Sequence, residues 1–192
     1  MATKGHLFII SGPSGAGKST ILSAILKKRP QLRYSISFTT RSPRGDEKDG
    51  VDYHFVSEAV FRQKIGKGEF AEWAEVHGHL YGTSATYVEE VLARGLDVLL
   101  DIDVQGAGKL SAKYPEAISV FVTPPNMEEL EKRLLKRGVD SPAAVERRLK
   151  NAKAEVAQAH DYDHVVVNDD LAQTVSDLES IIEKASGAAS HE

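Results

Sequence analysis

The feature that most constrains this chain is an eight-residue stretch, Gly12-Pro13-Ser14-Gly15-Ala16-Gly17-Lys18-Ser19, which fits the spacing G-x-x-x-x-G-K-[ST]. A glycine-rich turn with an exposed lysine would fit the same letters, so the flanks decide. Residues 6–11 (HLFIIS) read as a buried strand. Residues 19–28 (STILSAILKK) carry Ile21, Leu22, Ile25 and Leu26 at the spacing of one helix face. Strand, glycine loop and helix in that order form a phosphate cradle. Glycines let backbone N–H groups converge on phosphate oxygens, and the helix N-terminus adds partial positive charge. Lys18 then reaches the β- and γ-phosphates as a point charge, while Ser19 offers its hydroxyl to Mg2+. The expected ligand is a nucleoside triphosphate carried with Mg2+.

The rest of the chain supports the fold that such a cradle needs. Strand patterns at 97–103, 118–123 and 164–168 alternate with helical patterns at 86–94, 104–113, 127–137, 142–159 and 171–185. Gly95 is expected to close the helix before it, and Ser141-Pro142 to open the helix after them. This alternation implies a parallel sheet with helices on both faces. Residues 34–83 differ: a strand at 34–38, a polar loop to 52, a short strand at 52–56, a helix at 57–67, and a hairpin over 69–83 turning at His77-Gly78-His79. They read as a small β-rich insert beside the sheet. Trp73 and the phenylalanines read as core, and residues 186–192 as a frayed tail.

Other readings are excluded by composition. There is no cysteine, which removes disulfides, thiolate zinc sites and thiol nucleophiles. A net charge of −4 argues against a general nucleic-acid binder. The first residues are too short and polar for a secretion signal, and no apolar run is long enough for a membrane span, so a cytoplasmic location is expected. The seven histidines show no metal spacing; His77 and His79 lack a third ligand.

A phosphate cradle leaves the reaction open between a GTPase switch, an ATPase motor and a small-molecule kinase. Asp103-Val104-Gln105-Gly106 mimics the D-x-x-G of GTPases, but the guanine-specifying N-K-x-D is missing and Asn168-Asp169-Asp170 does not replace it. Asp101 and Asp103 end a strand pattern, where carboxylates act as helix caps or lie near metal and substrate. The second role is expected chiefly for Asp101, reaching the metal through a water. Between 37 and 83 a polar and aromatic set crowds together: Ser37, Arg41, Arg44, Glu47, Tyr53, Glu72, Tyr81 and Thr83. Arg41 and Arg44 sit three apart in a loop stiffened by Pro43 and Gly45. Two guanidinium forks can grip one phosphate, and two phenols can add donors.

At this point the sequence resembles the guanylate kinase family, enzymes that convert GMP and ATP to GDP and ADP. The resemblance is carried by residues 11–20 (SGPSGAGKST), 37–45 (SFTTRSPRG), 50–56 (GVDYHFV), 69–73 (EFAEW), 81–83 (YGT), 100–106 (LDIDVQG), 133–138 and 167–171 (VNDDL), in order across nearly the whole chain. It implies a P-loop NTPase fold in one domain over 1–192. The core would occupy about 5–33, 84–124 and 160–185, a GMP-binding insert about 34–83, and a helical lid about 125–159. It implies ATP on Gly12 to Thr20, with Arg133, Arg137 and Arg148 of the lid facing the phosphates and Asn168 and Asp169 near the adenine. It implies GMP, and with it dGMP, on Ser37, Arg41, Arg44, Glu47, Tyr53, Glu72, Tyr81, Thr83, Asp101 and Asp103. Lys18, Arg41, Arg137 and Arg148 would carry the catalytic charge.

The chemistry of guanine agrees with that assignment. Its N1–H and N2–H2 are adjacent donors that one carboxylate accepts together, and its O6 suits a hydroxyl such as Ser37; adenine offers no such donor pair. The expected reaction is in-line transfer with no covalent intermediate, because the acceptor phosphate is already an anion. Small-molecule substrates are the expected partners, with no nucleic acid or membrane, and a homo-oligomer stays open. Two rivals remain: a ribose-bisphosphate kinase on the same scaffold, which would not need Glu72, and a guanylate-kinase-like module that binds phosphoproteins, against which the intact P-loop argues.

Overall fold

The computed structural model describes residues 4–76, 78–136 and 142–188. At its centre five strands form an all-parallel sheet: β1 (Leu7–Ser11), β2 (Arg33–Tyr34), β7 (Val98–Asp101), β8 (Ile118–Thr123) and β9 (His164–Val167), in the order β2-β7-β1-β8-β9. β1 lies in the middle and pairs with β7 and β8 along its length.

Both faces of the sheet are covered. Phe8 and Ile10 of β1, with Leu99, Val120, Val122 and Val166, pack against α1 (Lys18–Lys28) and α7 (Leu171–Ala188). Leu7 and Ile9, with Val98 and Leu100, pack against α3 (Ala85–Ala93) and α4 (Val104–Lys113). Odd and even residues of one strand therefore go to opposite cores, so β1 reads as an unbroken apolar run rather than an alternating one.

The insert is a second sheet of four short strands: β3 (Phe38–Thr39), β4 (His54–Phe55), β5 (Phe70–Val76) and β6 (His79–Ser84), ordered β4-β3-β6-β5. β5 and β6 form the expected antiparallel hairpin; its turn residue His77 lies outside the described residues. α2 (Glu58–Gly66), capped by the Ser57 hydroxyl, buries Phe61 against Phe70 and Leu80. A third small core joins α5 (Met127–Lys136) and α6 (Pro142–Val156) through Leu130, Leu134, Val145 and Ala152.

Several expectations are corrected. Residues 34–38 are not one strand: Tyr34 pairs with β7 in the main sheet and Phe38 with β4 and β6 in the insert. The alternation YSISF is satisfied by either sheet, and the chain changes sheets within it. Asp103 leaves the strand, which ends at Asp101, and caps α4 by accepting N–H bonds from Gln105 and Gly106 at 3.3 and 3.1 Å. Trp73 is 38% exposed rather than core, with the Lys109 ammonium 5.4 Å from its ring centroid. α6 ends at Val156, short of Ala159, and α7 continues through Ser186, whose hydroxyl donates to Asp97 Oδ2 at 2.9 Å. The expected N-cap Ser141 and the residues 137–140 before it fall outside the described residues.

The turn out of β1 is tightly enclosed. Gly12 has φ +140°, and a Cβ there would lie 2.0 Å from the Val122 carbonyl oxygen of β8. Gly12→Ala is therefore expected to cost more than about 2 kcal/mol, from backbone strain plus a clash that β8 cannot relieve. Chemical denaturation of the variant against the native chain measures it; an unchanged midpoint would show that β8 yields freely.

Candidate active site

A cavity of about 280 Å3 opens where β1 and β7 end, between the main sheet and the insert. Its floor is the P-loop, residues 12–15 and 17–19, with Asp101, Ile102 and Asp103 beside it; Ser37, Tyr53, Glu72 and Tyr81 face it from the insert. The strand ends of a parallel sheet put the glycine loop and the carboxylates after β7 at one edge, as this architecture requires.

On the P-loop side, Lys18 Nζ donates to the Gly12 carbonyl at 2.7 Å and lies 3.9 Å from Asp101 Oδ1. Burial pushes the Asp101 carboxyl up, and the Lys18 ammonium pulls it back. Ser19 and Thr20 are exposed at the start of α1. α5 and α6 close over this side. Arg148 Nη2 donates to the Ser14 hydroxyl at 2.7 Å, and Arg133 Nη2 to the Asn168 carbonyl at 2.9 Å. Arg137 lies outside the described residues. Asn168 is buried behind the loop, its side-chain amide donating to the Ala16 carbonyl at 2.6 Å, whereas Asp169 is exposed.

On the insert side, Arg41 is 6% exposed and locked in place. Its Nη1 and Nη2 donate to Glu47 Oε2 and Oε1 at 2.8 and 3.0 Å, and Nη1 also to the Ser42 carbonyl at 2.8 Å. The guanidinium sits 5.2 Å from the Tyr53 ring centroid. This pairing holds the Glu47 carboxyl below the usual range, and the Arg44 backbone N–H adds a bond at 2.7 Å. Tyr53 and Tyr81 meet edge to face with centroids 5.9 Å apart. The Arg44 side chain is exposed and does not line the cavity.

Deeper in, Glu72 is 7% exposed and accepts the Thr83 hydroxyl on Oε1 at 2.8 Å. Burial pushes its carboxyl up to about 7 against the opposing bond from Thr83, with Asp103 nearby adding to the rise. A Cβ on Gly106 would stand 2.8 Å from Glu72 Oε2, so the glycine of residues 100–106 lets α4 approach that carboxylate.

Sequence reasoning missed Glu155, in the last turn of α6, which lines the same cavity as Lys18 and Asp103. Burial raises its carboxyl, Lys18 lowers it and Asp103 raises it. The available signal was spacing: Glu155 follows Arg148 by seven residues and so shares its helix face. Among the described residues no group of three His, Cys, Asp or Glu could hold a metal ion, and no helix is long and apolar enough to cross a membrane.

A phosphate cradle that faces two phenols and a buried acid across one cavity, with the buried Arg41 behind Tyr53 rather than in the cavity lining, defines a kinase of the P-loop class. The comparisons with known proteins narrow this class. The guanylate kinase profile matches residues 4–185. The guanylate kinase of Symbiobacterium thermophilum is 52% identical over 179 residues, 93% of this chain and 85% of its own length. That of Dechloromonas aromatica is 49% identical over 183 residues, 95% and 90% of the two chains. The crystal structure of guanylate kinase from Anaplasma phagocytophilum superimposes with a TM-score of 0.80 at 33% identity, covering 95% of this chain and 86% of that one. The chain belongs to the guanylate kinase family.

The raised Glu72 carboxyl has a consequence for the free protein. Unfolded, the group titrates near its ordinary value of about 4.3. Between that value and about 7 the folded chain keeps a proton that the unfolded chain has lost, so stability falls as pH rises and levels off above it. The full swing is ~3 kcal/mol. Melting temperatures of the nucleotide-free protein across this range should decline, and Glu72→Gln should flatten the decline. Parallel curves for the two proteins would mean that Glu72 is ionised throughout.

Proposed function

We propose that the two halves of the cavity hold the two substrates of a guanylate kinase, ATP on residues 12–20 and GMP on the insert. The activity of the family is the transfer of the γ-phosphoryl group of ATP to GMP, giving ADP and GDP, a step of purine nucleotide recycling. The observation that carries the assignment of sides is Glu72: a buried carboxylate, braced by Thr83, on the wall opposite Lys18. Ionised, it accepts guanine N1–H and N2–H2 together, with the Ser37 hydroxyl available to O6.

The GMP phosphate then meets Arg41 and the phenols of Tyr53 and Tyr81. Glu47 and the Ser42 carbonyl occupy both Nη1 hydrogens of Arg41 and one of Nη2. The Tyr81 side chain is a further hydrogen-bond partner of Arg41, so the phosphate meets the rest of the fork together with that phenol, and Glu47 acts by orienting Arg41. Arg44, exposed in the free chain, swings in from the loop.

Transfer runs in line. A GMP phosphate oxygen bonds to the γ-phosphorus as the bond to the β–γ bridging oxygen breaks, and ADP leaves. Lys18 exchanges the Gly12 carbonyl for the phosphate oxygens, and the N–H groups of the loop hold them. Residues 125–159 form a lid whose Arg133, Arg137 and Arg148 add positive charge and exclude water, which protects ATP from hydrolysis.

Ser19 and Asp101 line the same cavity and offer hard oxygen donors, which suits Mg2+, a cation held by one or two protein groups with phosphates and water. Bound with ATP, Mg2+ supplies charge neutralisation at the β- and γ-oxygens. Asp169, exposed after β9, is assigned to the adenine side. The core, insert and lid would follow the bounds expected from sequence. A cytoplasmic location and small-molecule substrates alone fit this reading.

Three substitutions test it. Glu72→Gln puts a donor where guanine also donates, so kcat/KM for GMP should fall about 100-fold or more while AMP loses far less. An unchanged GMP-to-AMP ratio would make Glu72 a structural carboxylate and reopen the ribose-bisphosphate reading. Arg41→Ala should cost about 1.5–3 kcal/mol, chiefly as a higher GMP KM. Glu47→Gln should do the same more weakly. If ATP KM rose instead, the loop would belong to the donor side.

A further inference from the structure

Asn168 follows the last residue of β9, 152 positions along the chain from the P-loop carbonyl that it touches. It is 7% exposed, and each of its polar groups has a partner. The backbone N–H donates to the Thr123 carbonyl at the end of β8 at 2.8 Å. Its carbonyl accepts Arg133 Nη2 of α5 at 2.9 Å. Oδ1 lies 3.3 Å from the Thr174 hydroxyl, which also sits 2.6 Å from the Asp170 carbonyl. Nδ2 donates to the Ala16 carbonyl at 2.6 Å.

That last bond has geometric leverage. In a trans peptide the C=O and the following N–H point opposite ways. With the Ala16 carbonyl held by Asn168, the Gly17 N–H lies on the opposite side of that peptide, and Gly17 lines the cavity. Gly17 itself is shaped to receive the amide. It has φ +91°, and a Cβ there would lie 2.3 Å from Asn168 Nδ2. The only partner offered by Ala16 is an acceptor, which sets the orientation of the carboxamide.

We propose that Asn168 is a positioning residue for phosphoryl transfer. Its amide fixes the Ala16–Gly17 peptide so that the Gly17 N–H points at the donor phosphates, and its carbonyl ties this arrangement to α5 through Arg133. This differs from a contact with the adenine base, which the family resemblance implies for this position. It rests on the reading of residues 12–20 as the donor site. Among the described residues the backbone of the cradle is otherwise held by bonds from nearby in the chain, such as the Ala16 N–H on the Pro13 carbonyl at 3.1 Å and Lys18 Nζ on the Gly12 carbonyl at 2.7 Å. Asn168 is a brace from a distant strand, and so a means for lid position to reach the loop.

The experiment compares full-length Asn168→Ala and Asn168→Asp with the native chain. It reads steady-state kinetics with ATP and with GTP as donors, and binding of inorganic tripolyphosphate by calorimetry. Both variants should lose about tenfold in donor kcat/KM, the Asp variant more because a carboxylate then faces a carbonyl oxygen. The loss should be equal for the two donors and should appear in tripolyphosphate affinity, with GMP KM unchanged within twofold. A loss confined to ATP, with tripolyphosphate binding intact, would overturn the proposal in favour of a base contact. A lower melting temperature with native kinetics would overturn it in favour of a purely structural role. Should these variants not fold, Thr174→Val removes only the hydroxyl beside Oδ1 and should give the same pattern at smaller size. The tripolyphosphate arm is independent of the acceptor. It therefore still decides the role of Asn168 if the native chain proves not to phosphorylate GMP.

Discussion

The site depends on how β1 ends. Its five residues are buried on both faces and hydrogen-bonded to a strand on each side, so its position leaves almost no freedom. Pairing with β8 runs as far as Ser11, and at the next residue the Val122 carbonyl stands where a side chain would begin. The chain must turn there, and glycine alone takes the turn without strain. A loop launched from so rigid a strand can present backbone N–H groups at fixed positions. That is the form of catalysis in which charge is met without reorganisation at the moment of reaction.

Around that loop the charges are arranged as a balance. Glu72, Asp101, Asp103 and Glu155 share one cavity with Lys18. Burial disfavours ionisation of Glu72, Asp101 and Glu155, and the Lys18 ammonium opposes that for Asp101 and Glu155. What relieves such a pocket is a ligand that brings donors and cations of its own, and guanine N–H groups and a metal-bound triphosphate are ligands of that kind. The arginines are treated differently. Arg41 is pre-ordered by Glu47 and Arg133 by Glu129, at 3.1 Å, together with the Asn168 carbonyl, whereas Arg148 reaches across to the Ser14 hydroxyl of the P-loop.

Much of this was legible in the chain itself because the relevant signals are local. The G-x-x-x-x-G-K-S spacing sits between a five-residue apolar run and a helix with Ile21, Leu22 and Ile25 on one face, and the three pieces determine one another. The hairpin, α4 and β8 followed from periodicity of the same short range. The illegible parts have in common that periodicity does not name a partner. YSISF alternates properly but spans two sheets. Trp73 looks like core, yet it falls on the solvent side of β5 while its neighbours Glu72 and Ala74 point inward. Glu155 looks like one more surface acid on a charged helix until α6 is laid across the P-loop.

The class of fold, the phosphate cradle and the kinds of groups that face it can be read from the chain alone, because each is set by residues within one strand, one turn or one helix. Which of those groups meet is a matter of packing. It buried Glu72 against Thr83 and beneath α4, joined Arg41 to Glu47, left the Arg44 side chain outside, and carried Asn168 across 152 positions to brace Ala16. The reason is physical: burial and contact across the chain come from how layers pack. The same carboxylate or amide is a surface group or a working part according to what is stacked above it.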